Sequence, residues 1–308
     1  MGLCENKLIV ANTGSDSLSI IDTRTHELID TIFLWESVKA NKKSTSNGPY
    51  VGPHHIFFDE KDIIYSANSY NNTVYKINIE LKEIVDMVYV GSFPSHLVVH
   101  NGYIYVSNSD SNSISVIEEK GFNIIENIPV GERPHDIKLD KKNNRLYISN
   151  NNGYSIDIVD LNNNVQKRLK LRYNPVHISI EDNIILVLSP PSNGMLNSKL
   201  LIYSINDECI VKEIDVQGVI VDLIAVENKK IAYVTNVEDG NLYEIDLVDY
   251  KINSKYLIGG MPNNITRKNE ELYISDAFYN RVVIFNYKKG KILYSIDVGL
   301  EPNGIILI

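Results

Sequence analysis

Five of the seven histidines in this 308-residue chain fall within two residues of a proline that recurs along it. They are His54 and His55 after Pro53, His96 after Pro94, His135 after Pro134 and His177 after Pro175. The second residue after that proline, or after its equivalent, reads His55, His96, Asp136, His177, Asp222, Asn264 and Gly304 in turn. The first residue after it adds His54, His135, Asn263 and Asn303. Imidazole nitrogen and carboxylate oxygen together are a donor set for a divalent transition metal. Clustered, the same groups shift one another's pKa and pass protons near neutral pH. His55, His96, His177, Asp136 and Asp222 are therefore candidate ligands for such a metal (Zn, Cu, Fe or Mn). His54 and His135 are candidates for moving a proton. Asn263, Asn264, Asn303 and the single tryptophan, Trp35, are candidate substrate contacts. A plainer role stays open for each: a polar residue after a strand-entry proline can cap a turn or bond a neighbouring segment. His26 and His100 fall outside the pattern and read as incidental.

The elements that must position these residues form a repeat. YVGPHHIFFD from Tyr50, GSFPSHLVV from Gly91, GERPHDIKLD from Gly131 and RYNPVHISIE from Arg172 align with one another. So do QGVIVDLIAV from Gln217, GGMPNNITR from Gly259 and GLEPNGIILI from Gly299, with starts 40 to 45 residues apart. A second apolar run follows each and ends in a turn residue, as in IYVSN to Asn108, LYISN to Asn150 and IAYVTN to Asn236. A third run alternates (TVYKIN, SIDIVD, NLYEID) and a fourth closes the unit (EIVDMVYV, IVKEIDV, ILYSIDV). Val, Ile, Tyr and Thr at period two are strand formers, and the Asn, Asp, Ser and Gly between them make turns. Four short strands per repeat of this length is one propeller blade. The expectation is an all-β chain: a seven-bladed β-propeller with four antiparallel strands per blade, as a single domain over residues 1–308. Blade 1 takes 299–308 plus 7–34, so the two ends close it. Blades 2 to 7 take about 48–90, 91–130, 131–171, 172–216, 217–258 and 259–298. The strand tyrosines Tyr65, Tyr105, Tyr147, Tyr233 and Tyr273 read as core, and Asn12, Asn68, Asn108, Asn150 and Asn236 as turn chemistry.

The motif G-x-x-P before an apolar strand, then L-Y-V/I-S/T-N, then S-V-x-V-I-D resembles the YVTN-type seven-bladed β-propeller repeat family over essentially the whole chain. The resemblance implies the fold and no single activity. In such a fold the first strand of each blade is innermost. Equivalent positions after the proline would then gather at one mouth of the central channel. Some seven-bladed propellers hold metal on the axis with histidines, nitrous oxide reductase among them, and the adjacent His54–His55 pair resembles that pattern.

Two long insertions fall in loops expected on the same face. One runs from Trp35 to Tyr50 with Lys39, Lys42 and Lys43; the other runs from Pro190 to Ser198. Loops of this kind on a rigid scaffold commonly carry binding, so a lid over the channel mouth is expected. Phosphate-binding glycine loops, HExxH, GxSxG and EF-hand elements are all missing from the sequence. The net charge of −9 argues against nucleic acid and anionic membrane as partners. The start, MGLCENKLIV, has no basic segment leading an apolar stretch, and the two cysteines, Cys4 and Cys209, have no metal spacing. A cytoplasmic monomer is expected, with a small molecule or peptide as partner in the channel mouth. Two functions remain open: a metal-dependent enzyme acting on a small molecule or peptide, and a non-enzymatic scaffold that binds a protein or peptide.

Overall fold

A computed structural model describes residues 6–35, 50–59, 61–163, 165–192, 194–226 and 230–308. Among the described residues the period-two runs form 28 strands, arranged as seven antiparallel sheets of four. The chain is a seven-bladed β-propeller. Among the described residues its helix is limited to two single turns, Thr13–Ser15 and Ser109–Ser111, and no helix is long and apolar enough to cross a membrane. One sheet joins the two ends of the chain, in the order Pro302–Leu307, Lys7–Asn12, Ser17–Asp22, Glu27–Phe33. Leu8 stands opposite Leu307 and Ile9 opposite Ile306, and Lys7 and Ile308 exchange backbone hydrogen bonds of 3.1 and 2.9 Å.

The chain divides into two compact units, Met1–Ile128 with Thr266–Ile308, and Pro129–Ile265. In each, the apolar core lies between facing sheets. In the first unit Ile9, Leu18 and Ile20 pack with Ile56, Ile64 and Tyr75. In the second, Tyr147 and Ile156 pack with Ile185 and Leu201, and Leu186 and Leu200 with Val234 and Tyr243. A fully buried side chain of this size contributes about 1.5–3 kcal/mol, so packing between blades supplies most of the stability. Tyr65, Tyr105, Tyr147, Tyr233 and Tyr273 are all buried in these layers.

The repeat asparagines do more than turn the chain. Asn12, Asn68, Asn108, Asn150 and Asn236 are fully buried. The Asn150 amide donates to Ser155 Oγ, and that of Asn108 to Ser115 Oγ. The glycine that opens the repeat makes room for this amide: a Cβ on Gly131 would stand 2.6 Å from Asn150 Cγ. The G-x-x-P and S/T-N motifs are therefore one contact seen from two sides.

Four of the inner strands begin irregularly. The pairing register shifts between Pro53 and His55, Pro94 and Leu97, Pro134 and Ile137, and Ile220 and Leu223. A bulge of this kind leaves backbone groups without a partner in their own ladder, and it coincides with the chemistry-bearing positions.

Deleting residues 299–308 removes the strand paired to Lys7–Asn12 and bares an apolar edge. Circular-dichroism melting should then lose its cooperative transition, and light scattering should report aggregation. A truncated chain that melts like the parent would refute this role. Gly131→Ala should cost about 1–3 kcal/mol in urea unfolding, because the asparagine amide cannot yield without losing its hydroxyl partner.

Candidate functional site

The polar residues after the proline answer first to the bulge. In the second unit, Ser149 Oγ accepts the Asp136 N–H at 2.9 Å and donates to the Val176 carbonyl of the next blade at 2.6 Å. Thr235 Oγ1 repeats the arrangement two interfaces on, accepting from Asp222 N–H at 3.1 Å and donating to the Asn263 carbonyl at 2.7 Å. The side chains extend the pattern. Asp136 Oδ2 accepts the N–H of Ile178 (2.9 Å), Asp222 Oδ2 that of Ile265 (3.0 Å), and, in the first unit, His55 Nδ1 that of Leu97 (3.4 Å). In each case the second residue after the proline, or after its equivalent, holds the third residue after the proline of the following blade. The plainer role thus applies to these three.

Beyond that scaffold, the second unit carries a charged cluster. Asp136 is fully buried, and its Oδ1 lies 3.2 Å from Lys138 Nζ. Burial pushes the Asp136 carboxyl upward, but Lys138, His177, the Ile178 N–H and His135 together outweigh it and hold the group below the usual carboxylate range. Burial likewise pulls the Lys138 ammonium down, and Asp136 and Asp222 more than offset it, raising it above the ordinary lysine value. His135 Nε2 and His177 Nε2 stand 3.1 Å apart, and Asp222 Oδ1 lies 3.4 Å from His177 Nδ1. Two adjacent nitrogen lone pairs repel unless a proton or a cation lies between them. Imidazole nitrogen keeps ~2.0–2.1 Å from zinc, so two nitrogens 3.1 Å apart are close enough to share one ion. The carboxylate on the far nitrogen of His177 is the usual outer partner of a metal-bound histidine, fixing its tautomer and orientation. This His/Asp group could hold a metal ion.

The first unit carries three imidazoles of its own, those of His54, His55 and His96. His96 is buried, with its N–H on Ser107 Oγ and its carbonyl accepting from the same hydroxyl. The His54 and His55 rings both lie against it, with centroids 5.3 and 4.6 Å away. Consecutive strand residues normally face opposite ways; the bulge at Pro53–His55 lets both face one neighbour. Gly304 sits in the same unit, where a Cβ would stand 2.6 Å from the His54 carbonyl oxygen. The seventh copy of the position is glycine because the neighbouring backbone occupies the space a side chain would need.

The other expected residues fall as follows. Asn263 and Asn303 offer their carbonyls to Thr235 and Ser275, and Asn263, Asn264 and Asn303 are all partly exposed. Trp35 lies edge-on to Phe33 at 6.3 Å. The loop expected to form a lid falls at residues 36–49, outside the described residues, with Lys39, Lys42 and Lys43; Asn193 of the second insertion and Cys4 are also outside them. His26 stacks on Tyr294 at 4.1 Å, and His100 sits beside Asn101. Lys138 was missed by the sequence reading. The signal for it was there: two residues on from Asp136, it shares that residue's face of the strand.

Residues 5–178, more than half the chain, match a family model described as lactonase, 7-bladed beta-propeller. No curated protein matches the chain. Among solved structures, hydrazine synthase from Kuenenia stuttgartiensis is similar at 17% identity and a TM-score of 0.75, over 86% of this chain and 91% of that one. A dihydro-heme d1 dehydrogenase, NirN, is similar at 12% and 0.70, over 100% and 76%. Apo AztD from Citrobacter koseri is similar at 15% and 0.62, over 97% and 96%. At these identities the likeness is one of fold.

Asp136→Asn should expose the double duty of this carboxylate. A carboxyl held down in the folded state stabilises the protein fully above its unfolded value, ~3.9, and that contribution drains away as pH falls toward the folded value. The variant should lose about 3 kcal/mol at pH 7, the lower end for a buried pair broken on one side because Lys138 is partly exposed. The loss should shrink below pH ~4. Urea unfolding from pH 3 to 8 checks this; a loss independent of pH would overturn it.

Proposed function

The chain belongs to the seven-bladed β-propeller lactonase family, and on that footing we propose that it is a metal-dependent enzyme opening a small cyclic ester. The observation that carries the reading is the His135–His177 pair, 3.1 Å apart at Nε2 and backed by Asp222. The two Nε2 atoms would hold a divalent transition metal, which supplies Lewis acidity to a carbonyl oxygen and eases deprotonation of water. Asp222 accepts the Nδ1–H of His177 and so keeps its Nε2 an electron-pair donor. Lys138, paired to Asp136, places positive charge beside the cluster where an oxyanion or carboxylate would be favoured. His135 and His54 remain the candidates for moving a proton, with Trp35, Asn263, Asn264 and Asn303 as substrate contacts and His55, His96 and Asp136 as further donors. The L-Y-x-S/T-N repeat supports a place in the YVTN-type branch of these propellers. The exposed free thiol of Cys209 suits a reducing compartment, which supports a cytoplasmic location.

A specific observation favours a second reading. His55, Asp136 and Asp222 each bind a backbone N–H of the next blade, which is what a rigid, non-enzymatic protein- or peptide-binding scaffold would need.

Elemental analysis of the purified full chain separates the two. The enzyme reading expects about one metal per chain, lost in His177→Ala, and a 10- to 100-fold weaker metal affinity in Asp222→Asn. Hydrolysis of γ-butyrolactone, followed by pH-stat, should fall in parallel. A metal-free protein whose melting temperature does not move on adding Zn, Cu, Fe or Mn would overturn it and leave the scaffold.

A further inference from the structure

One outer edge in the second unit differs from the rest. The strand Gln166–Lys170 pairs on one side only, with Ser155–Asp160. The Asp160 N–H donates to the Val165 carbonyl, and the Leu171 N–H to the Tyr154 carbonyl. Val165 and Leu171 therefore turn their backbone groups inward, as do Lys167 and Leu169 at the alternate positions between them. Gln166, Arg168 and Lys170 turn theirs outward, to an edge that no strand covers among the described residues. Charge marks the same edge. Lys167, Arg168, Lys170 and Arg172 fall in one short stretch with no acidic residue among them, in a chain of net charge −9. No other outer strand is as basic; Glu27–Phe33 and Glu83–Tyr89 each carry two acids and no base. Lys167 is held by Glu208 and Arg168 by Asp157. Lys170 and Arg172 are exposed, with no side-chain partner among the described residues.

We infer that the edge Gln166–Lys170 docks an extended acidic segment of a partner protein, added as a fifth strand of this blade. Outward N–H and carbonyl groups of Gln166, Arg168 and Lys170 supply the ladder, and the Lys170 and Arg172 cations select the charge of the incoming strand. Strand addition divides its work in this way, with affinity from the main chain and choice from side chains. Basic side chains on an open edge also deter a second copy of that edge, because like charges would face each other. The docking uses none of the histidines and stands whether or not the protein opens lactones.

Fluorescence anisotropy on the full-length protein tests this, with a labelled peptide of alternating glutamate and threonine and a control of alternating lysine and threonine. The acidic peptide should bind at least about tenfold more tightly than the control, and salt should weaken it. Hydrogen-exchange mass spectrometry should show exchange slowed over Gln166–Lys170 and unchanged over Glu83–Tyr89. Lys170→Gln and Lys170→Pro remove the same charge, but only proline also removes an N–H that faces the open edge and that the blade does not use. The proline variant should melt like the glutamine variant and bind the acidic peptide about tenfold more weakly than it does. Should the proline variant fail to fold, the exchange pattern of the parent protein decides. Equal binding of the two peptides overturns the inference, as does binding without protection of Gln166–Lys170. Protection of that segment that rises with protein concentration before any peptide is added overturns it in favour of a second copy of the chain.

Discussion

The feature on which the rest of the molecule depends is a small defect in pairing. Four inner strands start with a slip beside the repeat proline or its equivalent, and backbone N–H and carbonyl groups at this end of the blades fall outside the strand ladder. Those groups are served from the blade before. Ser149 and Thr235 hydroxyls reach forward to carbonyls, and the Asp136, Asp222 and His55 side chains reach forward to N–H groups. Blade-to-blade adhesion therefore has two components. A greasy layer supplies the bulk of the energy without direction, and a row of directed bonds fixes how far one blade slides along the next.

This constraint explains why polar residues are found at these positions and why that alone says little about catalysis. An acceptor side chain is wanted after the proline, and aspartate, asparagine and histidine all qualify. Only histidine has a second heteroatom on the far side of a rigid ring. When His55 binds the backbone through Nδ1, its Nε2 is still directed elsewhere. A scaffold that needs an acceptor at each interface thus obtains, wherever it uses histidine, a second polar atom in a fixed direction. His177 turns its Nδ1 to Asp222 instead and its Nε2 to His135, so the same position meets side chains in one blade and backbone in another.

The architecture was legible in the sequence because blade length, strand period and turn residues all report on the same geometry. The split blade could be read from GLEPNGIILI aligning with internal copies while KLIVAN aligned with second strands. The positions of interest could be read too, from five histidines at equivalent sites. Which atom of His54 faces Ser95, or that Asp136 shares its charge with Lys138, could not. Those facts depend on a one-residue slip and on side-chain rotation, and neither leaves a trace in composition or periodicity. The repeat glycines mislead in a useful way. Gly131 reads as a turn residue, yet it is small because the Asn150 amide fills the space beside it.

The pairing of Lys7–Asn12 with Pro302–Leu307 brings residue 7 and residue 308 within mutual hydrogen-bonding distance. A peptide linker of a few residues could bridge that gap, so the covalent break in the chain is free to move. Circular permutants reopened at an exposed outer turn, such as Asn162–Asn163, would keep every sheet and every interblade bond while presenting new ends on a different blade. The fold thereby separates the order in which blades are synthesised from the order in which they pack, which gives a handle for asking which interface forms first.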